Sequence, residues 1–247
     1  MVAGYARAVP LIAELLARRA RTDGSAPLVT CYDLAAGSRV ELSATTTANW
    51  VAKTSGFLTD ELLLEPGAAV ELQVAVEHPG HWMSLVWALA CWQTGVVATL
   101  GRVDAAQVVV TGPDAGDLRA RLGADVEVVA CSLHPLGLGL GSAPPGVVDF
   151  ATEVRGQPDV WLGAPVAPDA AAWRDDERGL SQQGLLEGGS GPARRVLVPV
   201  GAPWATVRDA LVVPLRDGGS SVVVTGGSDA RRMAAIAADE RVDAVLP

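Results

Sequence analysis

The sequence predicts an α/β protein with a doubly wound, mainly parallel sheet and helices on both of its faces. Uninterrupted β-branched runs such as VVATL (96–100) and AQVVVTG (106–112) are typical of strands that are buried on both faces of a parallel sheet. Segments with strand patterns also alternate with segments with helix patterns, most regularly over 180–247. Such alternation indicates βα units wound around a common sheet.

The length and composition are those of a folded chain with a substantial core. It has 247 residues, of which 49% are hydrophobic and 19% charged, and no apolar run is long enough to cross a bilayer. We expect a single domain over 1–247. Its predicted parts are a first βα half with an N-terminal hairpin (1–135), an irregular connection (136–179) and a second βα half (180–247).

The first elements follow from local patterns. Leu11, Leu15 and Leu16 have the spacing of an amphipathic helix, and PLVTCYD and SRVELS predict a hairpin that turns at Gly37. Ser43 is a suitable N-cap for a helix running to Leu64, where the EPG sequence stops it. The stretch AAVELQVAV then predicts a strand.

A strongly apolar helix follows, HPGHWMSLVWALACWQTG, which we expect to end at Gly95. Its three tryptophans, Trp82, Trp87 and Trp92, are predicted core residues; the alternative is that they form a dimer face. After the two β-branched strands we expect a helix in DAGDLRARLG and a strand in VEVVACSL.

The second half contains the most regular alternation. SQQGLLEGG predicts a short helix and RRVLVPVG a strand. WATVRDALVVPLRDGG and SDARRMAAIAADE predict helices, whereas SSVVVTGG and VDAVLP predict strands.

Charge and cysteine content exclude some classes of partner. The formal net charge of −9 makes nucleic acid an unexpected partner, because binding its backbone requires several positive charges. Three widely spaced cysteines in apolar surroundings predict reduced core thiols. Glu14, Arg18 and Arg19 interrupt the apolar N-terminal stretch, which argues against a secretion signal, so we expect a cytoplasmic protein that does not associate with membranes.

Several segments resemble one enzyme superfamily. DELLLEPGAAVELQVAV, VWALACWQTGVVATL, VVPLRDGGSSVVVTGG and ERVDAVLP are similar to the N-terminal part of the AMP-forming adenylate ligases, which include acyl-CoA synthetases, peptide-synthetase adenylation domains and luciferases. Within that superfamily the chain most resembles a group of short actinobacterial proteins of unassigned function. The resemblance covers most of the chain and implies the fold of the ligases' large N-terminal part.

The residues that carry ligase chemistry do not match. The resemblance places the family's phosphate loop, a Ser/Thr/Gly-rich turn ending in Pro-Lys-Gly, at AAWRDDERG (171–179), where Asp175–Glu177 would repel phosphates. Where the family has a P-x-x-H element with a substrate-pocket histidine, this sequence has Ala202, Pro203 and Trp204. The family's acidic motif, ribose-binding aspartate, hinge and catalytic lysine would follow Pro247. We therefore assign no catalytic residue and no cofactor, and expect no adenylation by this chain alone.

Two glycine-rich segments resemble phosphate loops superficially. EGGSGPARR (187–195) lies between a predicted helix and a predicted strand, whereas phosphate loops run from a strand into a helix N-terminus, so we interpret it as a turn. GLGLGS (137–142) runs into Pro144 and Pro145, which do not supply that helix. We interpret it as a flexible loop that could line a pocket at the strand ends.

Four residues have the chemistry of metal ligands: His78 and His81 in HPGH, and Cys131 and His134 in CSLH. Both segments follow predicted parallel strands and could meet at the same sheet edge. The alternative is that they are ordinary loop histidines and a buried thiol, and no metal is assigned.

These observations leave two functional hypotheses. The first is a non-catalytic relative that binds a small acyl, CoA or nucleotide ligand, or a protein partner, a second copy of itself included. The second is a ligase activity that another polypeptide completes by supplying the phosphate loop and lysine. Any ligand is expected in the crevice at the strand ends.

Overall fold

The computed structural model describes residues 10–101, 106–227 and 229–247, and its strands form two sheets. The strands of the first sheet are β1 (Pro27–Asp33), β2 (Ser38–Ser43), β10 (Arg195–Pro199), β11 (Ser220–Thr225) and β12 (Ala244–Val245). Their order is β12-β10-β11-β1-β2, and pairing is parallel except in the β1–β2 hairpin. The first nine residues of the N-terminal stretch lie outside the described residues.

The second sheet has the order β7-β6-β5-β3-β4-β8-β9. Its strands are β3 (Ala69–Leu72), β4 (Val97–Thr99), β5 (Val108–Thr111), β6 (Glu127–Ala130), β7 (Val148–Asp149), β8 (Ala171–Arg174) and β9 (Gly179–Ser181). Pairing is again parallel, except between β8 and β9. The predicted α/β class and mainly parallel pairing are confirmed, with the strands divided between two sheets.

Helices connect most of these strands. They are α1 (Ile12–Thr22), α2 (Ala44–Gly56), α3 (Gln73–Glu77), α4 (Trp82–Thr94), α5 (Gly116–Arg121), α6 (Phe150–Glu153), α7 (Pro203–Val207), α8 (Val213–Asp217) and α9 (Ala230–Asp239). In the described part of the chain, no helix combines the length and the apolar character that crossing a membrane requires.

The N-terminal predictions are confirmed in detail. α1 buries Ile12, Leu15 and Leu16, as the amphipathic pattern predicts. The Ser43 hydroxyl accepts a hydrogen bond from the backbone N–H of Thr46 and so caps α2. A π-helical turn, Phe57–Glu61, extends α2, and the helical run ends short of the predicted Leu64 because Leu63 has a left-handed backbone with φ of 52°.

The predicted strand AAVELQVAV is wrong in its second half. β3 ends at Leu72, and α3 follows at once, closed by a hydrogen bond from the His78 backbone N–H to the Val74 carbonyl. Apolar residues such as Val74 and Ala75 are buried in either conformation, so the hydrophobic pattern did not distinguish strand from helix.

Helix α4 lies at the centre of the molecule. Its tryptophans Trp82, Trp87 and Trp92 are at most 1% exposed, so the prediction of core residues is confirmed and the dimer-face alternative is wrong. The helix ends at Gly95, which adopts the left-handed conformation that glycine tolerates at this position.

The predicted irregular connection, 136–179, contains more structure than its sequence indicates. It includes β7, α6 and β8, and Trp173 on β8 is 1% exposed. The SQQGLLEGG segment was predicted to be a helix, but forms only a single 3₁₀ turn, Gly184–Leu186.

Candidate functional site

A crevice of about 660 Å³ lies between the two sheets at the carboxyl ends of their strands. On one side are the ends of β1, β10 and β11, and on the other are the loop that leads into α4 and Leu133, which follows β6. This is the sheet edge at which α/β proteins place ligands. It is also the place where the sequence predicts a ligand.

His81 links the start of α4 to the loop that follows β6. As the N-cap of α4, it accepts a hydrogen bond at Nδ1 from the Met83 backbone N–H, so Nε2 carries the proton and donates to the Leu133 carbonyl at 3.1 Å. Burial lowers the pKa of His81 to about 4, although the bond to Leu133 opposes that effect. His81 is therefore neutral at pH 7, and both of its ring nitrogens are engaged.

Leu133 adopts a left-handed backbone conformation, with φ of 57°. This conformation is uncommon for a residue with a branched side chain and concentrates at functional sites. Leu133 lines the crevice, and the His81 bond fixes its carbonyl group.

Gly80 brings the loop before α4 into direct contact with the first sheet. A Cβ atom at this position would lie 2.4 Å from Val200 Cγ2 and 2.6 Å from Thr225 Cγ2. The loop therefore approaches the sheet as closely as a residue without a side chain allows.

The side chains that give the crevice lining its charge are carboxylates. Asp33 and Glu77 line it together with His78 and His81, and none of its described lining residues is a lysine or arginine. Asp33 Oδ1 accepts hydrogen bonds from the backbone N–H groups of Ala35 and Ala36, which fixes this carboxylate at the end of β1. Positive charge for a triphosphate is not present among these side chains.

The candidate metal ligands lie on two segments that are in contact. The bond from His81 to Leu133 shows that the HPGH and CSLH segments meet, as predicted. However, Cys131 is fully buried, and burial raises the pKa of its thiol to about 12, while His134 Nδ1 accepts a hydrogen bond from the Leu136 backbone. Within 10–101, 106–227 and 229–247, no three His, Cys, Asp or Glu side chains are grouped to hold a metal.

The acidic stretch forms the turn of the β8–β9 hairpin. Asp175 Oδ1 accepts hydrogen bonds from the backbone N–H groups of Glu177 and Arg178, and Oδ2 accepts from Trp173 Nε1 and from the Arg178 guanidinium. Asp175 N also donates to the Arg178 carbonyl. At the position to which the resemblance assigns a phosphate loop, the chain has a tight turn. Its backbone N–H groups at Asp175, Glu177 and Arg178 are hydrogen-bonded within the turn itself.

Trp204 lies beside this hairpin. Its ring centroid is 5.1 Å from that of Trp173, which in turn is 6.3 Å from that of Trp92. Trp92 Nε1 donates to the Ala172 carbonyl and so attaches α4 to β8. The segment where the resemblance expects a substrate-pocket histidine thus contributes an aromatic ring to the packing of β8.

The two glycine-rich segments lie outside the crevice lining. EGGSGPARR connects the 3₁₀ turn to β10, as predicted, and Arg195 binds the Glu240 carboxylate rather than facing a ligand. In GLGLGS, a Cβ on Gly137 would meet the Trp50 ring at 3.0 Å. The possibility that this loop lines the strand-end pocket is not realised among the described lining residues.

Sequence reasoning did not identify Asp33, Glu77 or Leu133 as crevice residues. Asp33 and Leu133 are the last residues of predicted strands, so strand-end position was the available signal. The sequence could not show which strand ends face each other, since β1 and β6 belong to different sheets.

Comparisons with known proteins identify the architecture. No protein-family model matches the chain. A curated relative, described as a TIGR03089 family protein of Mycobacterium tuberculosis, is 37% identical over 138 residues, which are 55% of this chain and 55% of that protein. The alignment thus spans about half the length of this relative.

Solved structures agree in fold. An acyl-CoA synthetase from Brucella canis matches with a TM-score of 0.73 at 13% identity, over 96% of this chain and 47% of its own. An anthranilate CoA ligase in complex with anthranoyl-AMP gives 0.73 at 14% identity, over 96% and 49%. The N-terminal domain of FACL13 from Mycobacterium tuberculosis gives 0.67 at 14% identity, over 95% and 62%.

Proposed function

We propose that this chain, which has the fold of the N-terminal domain of adenylate-forming ligases, is a non-catalytic module that binds a small ligand in the crevice between its sheets. The observation that carries the proposal is the β8–β9 turn. A phosphate loop works by directing free backbone N–H groups and a cation at phosphates. Here the N–H groups of Glu177 and Arg178 are bound to Asp175, and the turn is acidic.

The crevice supports the binding part of this proposal. Its volume of about 660 Å³ is within the range of small-molecule sites, and apolar side chains such as Val200, Val224 and Met233 line it. Of the predicted ligand types, CoA and nucleotides fit this lining least well, because they carry phosphates and no lysine or arginine lies among the described lining residues. A structurally similar anthranilate CoA ligase was solved in complex with the small ligand anthranoyl-AMP, which supports a small-molecule site in this fold.

The decisive experiment is ATP–pyrophosphate exchange with purified protein and a panel of carboxylic acids. We expect no exchange above a no-protein control, and no increase in melting temperature with ATP, because binding to the native state alone would raise it. The matched positive control is a full-length acyl-CoA synthetase under the same conditions. Exchange with any acid would overturn the non-catalytic proposal.

The alternative, a ligase completed by a second polypeptide, makes a different prediction in the same assay. Exchange would then appear only when a cell extract or a co-purified partner is added. Absence of a partner in a pull-down, together with absence of exchange in the supplemented assay, would remove this alternative.

A cytoplasmic location is part of the proposal. Cys31, Cys91 and Cys131 are free and buried, as expected for a chain that folds in a reducing compartment. Cell fractionation with an antibody tests this location, and recovery of the protein outside the cytoplasmic fraction would contradict it.

A further inference from the structure

We propose that the crevice selects ligands carrying a primary amine on an apolar chain, and that Asp33 and Glu77 bind the resulting ammonium group. This inference rests on the proposed function, in which the crevice is a ligand site, and adds the chemical class of the ligand. It reverses the charge preference expected of a site for carboxylates or nucleotides.

Apolar side chains form much of the crevice wall. Val200 directly follows β10 and Val224 lies on β11, while Leu133, in the loop after β6, and Met233, on α9, also line the crevice. Together they enclose a volume suited to one small organic molecule. Burying methylene groups there is favourable, so a short alkyl chain supplies affinity without any charged contact.

Asp33 supplies a fixed carboxylate. Two backbone N–H groups, of Ala35 and Ala36, hold its Oδ1 atom, whereas Oδ2 accepts no hydrogen bond from the described residues. The side chain is partly buried at the end of β1. Its free oxygen is therefore oriented before a ligand arrives, and this reduces the entropy cost of binding.

Glu77 supplies a second carboxylate at the end of α3. Gln73 Nε2 donates to its Oε1 atom at 2.7 Å, and Oε2 is without a hydrogen bond in the described part of the chain. A Cβ placed on Gly112 would lie 3.7 Å from this Oε2 and 3.1 Å from His78 Nε2. Glu77 is thus held against the end of β5, although its side chain is exposed at the rim.

Several side-chain donors of the crevice lining are already engaged within the protein. The Tyr32 hydroxyl donates to Glu240, the Thr225 hydroxyl donates to the Tyr32 carbonyl, and both ring nitrogens of His81 are engaged. Ser38 and His78 can donate or accept, and Trp82 Nε1, which is buried, donates to none of the described residues. A ligand that brings its own N–H groups complements this inventory, whereas an anionic headgroup would lie close to two carboxylates.

The test compares three six-carbon probes of one shape: hexylammonium, hexan-1-ol and hexanoate, titrated into the full chain at pH 7 by calorimetry. Hexylamine is protonated at this pH because alkyl ammonium groups have pKa values of about 10. The variants are Asp33→Asn, which keeps the Oδ1 acceptor, and Glu77→Gln. Asp114→Asn is the matched control, since it removes the same charge from an exposed side chain outside the crevice lining.

We expect hexylammonium to bind about tenfold more tightly than hexanol, and hexanoate more weakly than both. Asp33→Asn should bring hexylammonium close to hexanol, Glu77→Gln should have a smaller effect, and Asp114→Asn should have none. Unchanged melting temperatures and circular dichroism establish that the variants are folded.

The outcomes that overturn the inference are distinct from those that overturn the proposed function. If hexanol binds and hexanoate binds as tightly as hexylammonium, the amine preference is wrong and the ligand crevice stands. A hexylammonium preference that survives both Asp33→Asn and Glu77→Gln would reflect general attraction to an acidic protein, and also refutes the inference. If none of the three probes binds, the ligand crevice itself is wrong.

Discussion

The indole rings of Trp173 and Trp204 pack against each other with their centroids 5.1 Å apart, and this contact joins β8 to the start of α7. Trp173 is buried and donates its Nε1–H to Asp175, so the ring contact also supports the hairpin turn. Two positions at which the resemblance to adenylate-forming ligases breaks down, the acidic turn and the P-x-x-H segment, are therefore coupled in one aromatic cluster.

The first prediction concerns this contact. Trp204→Ala should lower the free energy of unfolding by about 2 kcal/mol, less than for a fully buried tryptophan because Trp204 is partly exposed. Urea unfolding monitored by circular dichroism measures the change. Trp161→Ala is a suitable control, because Trp161 is also partly exposed but lies outside the cluster; an equal loss in both variants would show that the cluster has no special role.

Asp175 is the second target. Asp175→Ala removes the acceptor of the Trp173 indole and of two backbone N–H groups, and should cost about 1 to 2 kcal/mol of stability. The neighbouring Asp176 is exposed, so Asp176→Ala should change stability by less than about 0.5 kcal/mol. Denaturant unfolding of the pair distinguishes a structural turn from a solvated charge run, and similar values for both would contradict the turn assignment.

A third prediction follows from the ion network around Glu240. Burial alone would raise the pKa of Glu240, but hydrogen bonds from Arg39, Tyr32 and Arg195 lower it from an ordinary value near 4.5 to about 2. Because the folded-state pKa is the lower one, this contribution to stability is complete above about pH 4.5 and is lost as the pH falls toward about 2.

Glu240→Gln should therefore destabilise the protein at pH 7 and reduce the loss of stability between pH 4.5 and 2. Unfolding free energies at a series of pH values measure both effects. Glu65→Gln changes an exposed glutamate and should leave the pH profile unaltered. A wild-type profile retained in Glu240→Gln would mean that other carboxylates cause the acid sensitivity.

The fourth prediction concerns the approach of Gly80 to the first sheet. Gly80→Ala places a methyl group 2.4 Å from Val200 and 2.6 Å from Thr225, so it should destabilise the protein by about 1 to 3 kcal/mol through overpacking. It should also weaken probe binding, because Gly80, Val200 and Thr225 all line the crevice. Gly156→Ala introduces the same group where no atom lies within 4 Å, and an equal loss there would exclude steric crowding as the cause.

Local pattern was sufficient for much of the fold. The Ser43 cap, the glycine end of α4 and the β-branched strands β5 and β11 each depend on a few neighbouring residues, and the structure confirms them. By contrast, β8 was missed because Ala171–Arg174 has no β-branched residue and follows a long proline-containing stretch. Its strand conformation comes from pairing with β4 and from burial of Trp173, which are tertiary effects.

The site was less accessible to sequence reasoning. The sequence predicts that a ligand site lies at the carboxyl ends of the strands. The hydrogen bond between His81 and Leu133, however, joins residues 52 positions apart. Likewise, Arg195 in the glycine-rich segment EGGSGPARR binds Glu240, 45 residues further along. No local pattern encodes such partners, because charge and burial at these positions are decided by the packing of distant strands.

The pairing of β1 with β11 bears on how the chain is made. Val29 on β1 is in register with Ser221 on β11, so β11 leaves the ribosome almost two hundred residues after β1. Until then β1 and β2 are a lone hairpin, which is marginally stable in water. Loop closure over such a distance slows folding, and the apolar face of β1 lacks its parallel partner until β11 is made. The five-stranded sheet therefore forms only after β11 has been synthesised, and the crevice, which needs that sheet, forms no earlier.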